Sequence, residues 1–153
     1  MTSEGANVVH VVGRQGIDDG HLPLERLSRP TRILLLDDHD GSRLVMRYAL
    51  TALGYDCLAV GDTLAALTIT GVFEPHAILY EWSTRSGERA GLSFRFRDRL
   101  PERALSVVIL SALDEPDDFR SREEIDAYLI KPLAPRDLAS TLSKCCFGTR
   151  IAL

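Results

Sequence analysis

Polar side chains that could do chemistry stand directly after short apolar runs of this 153-residue chain. The pair Asp37 and Asp38 follows the first run, Glu81 the third, Ser111 the fourth and Lys131 the fifth. Parallel strands bring their carboxyl ends to one rim of a sheet, so these side chains are predicted to converge there. Three carboxylates that lie so close together repel one another, and their negative charge needs compensation. A divalent cation or the Lys131 ammonium supplies it.

Five apolar runs alternate with amphipathic segments of helix length, the pattern of βα units around a parallel sheet. Several runs are continuous in Val, Ile and Leu, as in strands that helices cover on both faces. The sequence therefore predicts an α/β fold with strands at residues 33–36, 57–60, 77–80, 107–110 and 128–130.

Caps and apolar spacing predict the helices between these strands. Asp40 or Ser42 can cap the first helix, Gly54 suits its left-handed C-terminus, and Asp62 can cap the second. The third is predicted from about Gly91 to residue 100.

The sequence evidence for the last two helices is limited to a few residues. Only Phe119 and Ile125 offer apolar anchors to a fourth helix at 117–124. Pro135 opens the fifth helix, for which we predict a buried stripe of Leu138, Leu142 and Cys145, with Cys146 more exposed.

The amino-acid composition makes several classes of protein and of binding partner improbable. With 18 Lys and Arg against 22 Asp and Glu, the net charge is −4, which disfavours nucleic acid or an anionic membrane as a partner. No apolar run approaches the ~20 residues of a membrane helix, so we expect a cytoplasmic protein. Its cysteines, Cys57, Cys145 and Cys146, are expected to be free thiols.

The glycine-rich start of the chain forms a region apart. We expect a flexible N-terminal extension at 1–30, in which only Val8 to Val12 favours a strand, then one domain at 31–146 and a tail at 147–153.

The motifs ILLLDDHD, VVILSA and YLIKPL, in this order, resemble those of the receiver domains of bacterial two-component response regulators. The resemblance covers residues 31–144. It implies a flavodoxin-like, doubly wound five-stranded parallel sheet of order 2-1-3-4-5. It also implies that Tyr128 is the switching aromatic, beside Ser111 and Pro132, and that the fourth helix, fifth strand and fifth helix form the interaction face.

The main departure from this family is Glu81, which stands where the family carries its phosphoacceptor aspartate. A glutamate places its carboxylate about 1.5 Å further out, and in-line phosphoryl transfer depends on that position. We therefore expect ordinary phosphorylation to be absent or very slow. Three readings stay open: a phosphate mimic, a degenerate site closed by a Lys131–Glu81 ion pair, and retained phosphorylation at Glu81 or a neighbouring Asp.

The leading interpretation is a stand-alone atypical receiver, a noncatalytic signalling module that binds a protein partner, with a homodimer also compatible. It requires no cofactor. One alternative is a Mg²⁺-dependent phosphorelay member that binds the metal through Asp37, Asp38 and Glu81. Another is a scaffold that dimerises or docks through the N-terminal extension.

For most of the remaining side chains of note, a structural or solvent-exposed role is predicted. The arginines near the third helix, including Arg89, are expected on a solvated face, and His39 and His76 are expected to be structural or solvent-facing. Trp82 shields the site or contacts a partner, and the sequence does not choose between these roles.

Overall fold

The structure, a computed structural model, describes residues 30–82 and 89–148. The predicted extension, apart from Pro30, therefore lies outside the described residues, as do the loop at 83–88 and the last five residues.

Five parallel strands form one sheet of order β2-β1-β3-β4-β5, as predicted. Each observed strand contains its predicted run and exceeds it by no more than one residue at either end. The strands are β1 (Arg32–Leu36), β2 (Asp56–Val60), β3 (Ala77–Glu81), β4 (Ser106–Ser111) and β5 (Ala127–Ile130).

Helices cover both faces of this sheet. They are α1 (Asp40–Ala52), α2 (Thr63–Phe73), α3 (Leu92–Arg99), α4 (Phe119–Glu123) and α5 (Pro135–Ser143), which continues as a π-helical turn at Lys144–Gly148. None of the helices in the described ranges is long and apolar enough to cross a membrane.

The core consists of two apolar layers, one on each face of the sheet. Leu50 of α1 and Leu138 of α5 pack on one face, while Leu67 of α2, Phe96 of α3 and Phe119 of α4 pack on the other. Strands β1, β3 and β4 are largely buried, whereas β2 and β5 form the two edges. Since the helices fix the sheet from both sides, the strand ends at the rim are held in register.

The cap of α1 differs from the prediction. His39 is the N-cap, and its Nδ1 accepts a hydrogen bond from the Ser42 amide at 3.2 Å, so neither Asp40 nor Ser42 has this role. The Asp62 cap of α2 is confirmed by a 2.8 Å bond from the Ala65 amide, and Gly54 has the expected left-handed conformation, with φ 97°.

The two C-terminal helices also refine the predictions. Helix α4 is only five residues long and lies between Asp118 and Glu124, which both have positive φ, although its anchors Phe119 and Ile125 are buried as expected. The predicted order of the neighbouring cysteines was wrong, because Cys146 is buried and Cys145 is half-buried. The wider π-helical turn changes the rotation of the chain there, and Cys146 joins the apolar layer that contains Leu142.

None of the three cysteines, all of which lie within the described residues, forms a disulfide, as expected. Burial raises the pKa of Cys57 and of Cys145 to about 11. Both thiols are therefore protonated, and weak nucleophiles, near neutral pH.

Candidate functional site

The Lys131 ammonium lies at the centre of the rim formed by the strand ends. It forms an ion pair and hydrogen bond with Glu81 Oε1, lies 4.0 Å from Asp37 Oδ2 and donates to Ser42 Oγ at 3.1 Å. One cation therefore compensates the carboxylates that end β3 and follow β1.

Asp37 is buried, and each of its carboxylate oxygens accepts a hydrogen bond. Its Oδ2 accepts from Ser42 Oγ at 2.6 Å, and its Oδ1 accepts from the His39 amide at 2.9 Å. Asp37, Ser42 and Lys131 thus form a closed network between the end of β1, the first turn of α1 and the end of β5. A buried carboxylate is stabilised only in such surroundings.

Asp38 lies in different surroundings, paired with Arg89. Its side chain is 69% exposed and lies 4.0 Å from the guanidinium of Arg89, whose own side chain is only 5% exposed. Arg89 also donates to Thr63 Oγ1 at 3.4 Å. The expectation that Arg89 belongs to a solvated face was therefore wrong, because its aliphatic stem and guanidinium are buried beside the rim.

The two cations change the electrostatics that the sequence suggested. Lys131 and Arg89 reduce the formal charge of the three carboxylates from −3 to −1. Mg²⁺ requires several oxygen ligands around one point. Within residues 30–82 and 89–148, no group of three or more His, Cys, Asp or Glu side chains is arranged to hold a metal ion. In this arrangement the Lys131 ammonium supplies positive charge beside Glu81 and Asp37.

A chain of hydrogen bonds leads from Lys131 to Tyr128. The Lys131 amide donates to the Ser111 carbonyl at 2.8 Å, and the Ser111 hydroxyl accepts from the Leu113 amide at 3.1 Å. The Tyr128 hydroxyl then donates to the carbonyl of Leu113 at 3.0 Å. Among the described residues, Ser111 makes no hydrogen bond with Glu81, so its link to the rim runs through the backbone of Lys131.

The Tyr128 ring is turned inward. It is buried and packs edge-on against Phe119 of α4, with ring centroids 5.4 Å apart. Trp82 packs on the same phenylalanine at 4.7 Å, so its ring belongs to the core beside the site. Pro132, joined to Lys131 by a cis peptide bond, is exposed, as is Ile130. Tyr128 therefore connects the rim to the packing of α4.

Sequence reasoning missed Ser42 and Arg89 as rim residues. Ser42 stands five positions after Asp37, in the first turn of α1, which was a usable signal that we had interpreted as a helix cap. Arg89 carried no such signal, because its position depends on the path of the chain between β3 and α3. His76, expected to be structural or solvent-facing, accepts from the Arg32 amide at 2.9 Å and joins β1 to the start of β3.

Some known proteins resemble this chain in sequence. No family model matches the chain. It is 31% identical over 113 residues to the phosphate regulon transcriptional regulatory protein PhoB of Pseudomonas aeruginosa, covering 72% of this chain and 49% of that protein. The chain thus spans about half the length of the curated relatives it matches.

Solved structures share the fold. The CheY-like response regulator receiver domain of Methylobacillus flagellatus matches with a TM-score of 0.67 and 20% identity, over 76% of this chain and 99% of that one. The pseudo-receiver domain of the CikA protein matches with a TM-score of 0.61 and 28% identity, over 76% of this chain and 97% of that one. A third match is the receiver domain of sensor histidine kinase PA1611 from Pseudomonas aeruginosa, solved with a magnesium ion coordinated in its active-site cleft. Its TM-score is 0.63 and its identity 23%, over 77% of this chain and 98% of that one.

Proposed function

We propose that this chain, which carries a response-regulator receiver (CheY-like) domain, is a pseudo-receiver that acts without phosphorylation. In this proposal it transmits a signal by binding another protein through the surface of α4, β5 and α5. It performs no catalysis of its own. The pseudo-receiver domain of the CikA protein among its structural neighbours is compatible with this class.

The observation that carries the proposal is the contact between Lys131 and Glu81. The ammonium is bonded to the carboxylate at the end of β3 and lies 4.0 Å from Asp37. A phosphoryl donor would have to displace this ion pair from a partly buried position, and breaking such a pair is costly. The longer glutamate side chain also places its oxygen about one bond, ~1.5 Å, beyond the reach of an aspartate.

The same contact can set the state of the interaction face. Lys131 fixes the backbone at Ser111, which fixes the segment whose carbonyl holds the Tyr128 hydroxyl. With Tyr128 inward against Phe119, α4 adopts one packing out of the two that a switching aromatic would allow. Glu81 and Lys131 thereby supply a constant bias toward one arrangement, where a phosphate would supply a variable one.

Exposed residues make this face suitable for a protein partner. Ile130, at the end of β5, is 45% exposed, and Leu113, in the loop that follows β4, is 44% exposed. Pro132 is exposed beside them. Apolar side chains at the surface next to a switching element are a common feature of protein-binding sites.

Intact-mass spectrometry tests the proposal. The full chain and its Glu81→Asp variant are incubated with Mg²⁺ and a small phosphodonor such as acetyl phosphate. We expect no added phosphoryl group on the unsubstituted chain. We expect one on Glu81→Asp, because the shorter carboxylate retracts from Lys131 and reaches the position that the family uses.

Matched variants make the result specific. The double variant Glu81→Asp with Asp37→Asn should lose the phosphoryl group again, whereas Glu81→Asp with the exposed Glu102→Gln should keep it. If the unsubstituted chain gains a phosphoryl group, the proposal is wrong, and the Mg²⁺-dependent phosphorelay reading takes its place.

A further inference from the structure

Strand β2 has an open outer edge. It pairs with β1 on one side, and among the described residues no strand pairs with its other side. The Asp56 amide donates to the Thr31 carbonyl at 2.9 Å, and the Val60 carbonyl accepts from Asp37. Since backbone groups alternate along a strand, the amides of Cys57 and Ala59 face outward, away from β1.

Apolar side chains flank this open edge on both faces of the sheet. On the α2 side, a groove of about 520 Å³ is lined mainly by Leu58, Val60, Leu64 and Ile69, and Leu64 is 73% exposed. On the α1 side, a groove of about 420 Å³ is lined by Leu44, Leu58 and Ala59 together with charged residues of α1. Strand edges usually carry charges that block pairing, but in β2 only its first residue, Asp56, is charged.

The chain contains a segment that fits such an edge. Residues 8–12 read Val-Val-His-Val-Val, with valines at both alternating positions, so both faces of a strand formed there would be mainly apolar. A strand that is added beside these two grooves meets apolar side chains on both of its faces, which this two-sided pattern matches. Its five residues match the five of β2.

The segment can also reach the edge. Residues 13–30, 18 in number, connect it to Thr31, and Thr31 is hydrogen-bonded to the first residue of β2. Eighteen residues span at most about 60 Å, whereas a five-residue strand is about 17 Å long and the next strand lies about 5 Å away. Such a tether gives an effective concentration of order millimolar, which favours the chain's own segment over a second copy.

We propose that residues 8–12 pair with the outer edge of β2 as a sixth strand and cover the two grooves with their valines. This docking goes beyond the proposed signalling function. Because β2 and β5 form opposite edges of the sheet, the added strand leaves the α4, β5 and α5 surface open to a partner.

Amide hydrogen exchange of the full chain, resolved by residue with NMR, tests the docking. In the unsubstituted chain the amides of Cys57 and Ala59 should exchange about tenfold or more slowly than in a Val9→Pro, Val11→Pro variant. Proline has no amide hydrogen and cannot continue a strand ladder, so the substitutions remove the pairing. The inward amides of Leu58 and Val60 should stay equally protected in both chains, which shows that the domain remains folded.

A second variant serves as the matched control. Asp18→Pro with Gly20→Pro places two prolines at the same spacing in the connecting residues, and it should leave Cys57 and Ala59 protected. Equal exchange of these two amides in the unsubstituted chain and the valine variant would overturn the proposal. Protection that disappears on dilution would also overturn it, because the edge would then be covered by a second copy. Neither outcome depends on the phosphorylation result.

Discussion

Two basic side chains meet acids at the rim in opposite ways. Lys131 contacts Glu81 and lies near Asp37. Both acidic side chains are mostly buried, while the Lys131 side chain is 26% exposed. Arg89 is the buried partner in its pair, and the carboxylate of Asp38 faces solvent at 4.0 Å. The acid is therefore the more buried partner in the Lys131 pairs, whereas the base is the buried partner in the Arg89 pair.

This difference indicates which contact matters for the site. A buried carboxylate depends on its cation, because water cannot replace that partner. An exposed carboxylate is solvated and gains little from a distant guanidinium. The Lys131 side should therefore control stability and switching, and the Arg89 side should contribute mainly packing.

Removal of the Lys131 charge should have the largest effect. Lys131→Met keeps most of the aliphatic stem but leaves Asp37 and Glu81 without their cation. We expect a loss of about 2 kcal/mol in the free energy of unfolding, less than the roughly 3–5 kcal/mol of a fully buried pair because Lys131 is partly exposed. Urea denaturation at neutral pH measures it.

Lys144 provides the control for this substitution, since it is exposed and is the only other lysine. Lys144→Met should change the unfolding free energy by less than about 0.5 kcal/mol. Indistinguishable denaturation curves for the two variants would contradict the proposed role of Lys131.

Loss of the Tyr128 hydroxyl should have an intermediate effect and extend the Lys131 side of the comparison. Tyr128→Phe removes the hydrogen bonds to the Leu113 and Asp114 carbonyls, at 3.0 and 3.3 Å, and keeps the contact with Phe119. We expect a loss of about 1 kcal/mol in unfolding free energy. Tyr48→Phe, at an exposed position of α1, should be neutral in the same measurement. An equal effect of both substitutions would mean that the hydroxyl of Tyr128 does not hold the segment after β4.

Removal of the Arg89 charge should have the smallest effect. Arg89→Met preserves the buried stem and removes the 4.0 Å pair with an exposed carboxylate and the long, 3.4 Å hydrogen bond to Thr63. The unfolding free energy should change by about 0.5 kcal/mol or less, and the salt dependence of stability should fall. A loss as large as that of Lys131→Met would show that the two sides of the rim are equivalent, and the distinction between Lys131 and Arg89 would then be wrong.

The sequence predicted the sheet well because each strand carries its own signal. Continuous runs such as Ile33 to Leu36 can be buried only where helices cover both faces, and Pro135 and Asp62 fix the starts of two helices. The convergence of Glu81 and Lys131 followed from the rule that parallel strands end at one rim, and the structure brings these two side chains into contact.

The errors lie where the side-chain environment depends on contacts between distant elements. The burial of Arg89 depends on the chain path after β3, which no local pattern encodes. His39 caps α1 because Asp37 accepts its amide hydrogen and orients the turn, so the neighbouring Asp40 and Ser42 are displaced into the helix. Likewise, the exchange of Cys145 and Cys146 depends on a π-helical turn that apolar spacing does not reveal.

NMR of the full chain tests most directly whether the charge of Glu81 sets the interaction face through Lys131. Backbone chemical shifts of Glu81→Gln are compared with those of the unsubstituted chain, and Glu102→Gln, at an exposed position, serves as control. We predict that Glu81→Gln shifts the signals of Leu113, Tyr128 and Ile130 in addition to those of its direct contacts, while Glu102→Gln shifts none of these. Changes confined to the residues that touch Glu81, with Tyr128 and Leu113 unaltered, would contradict the account.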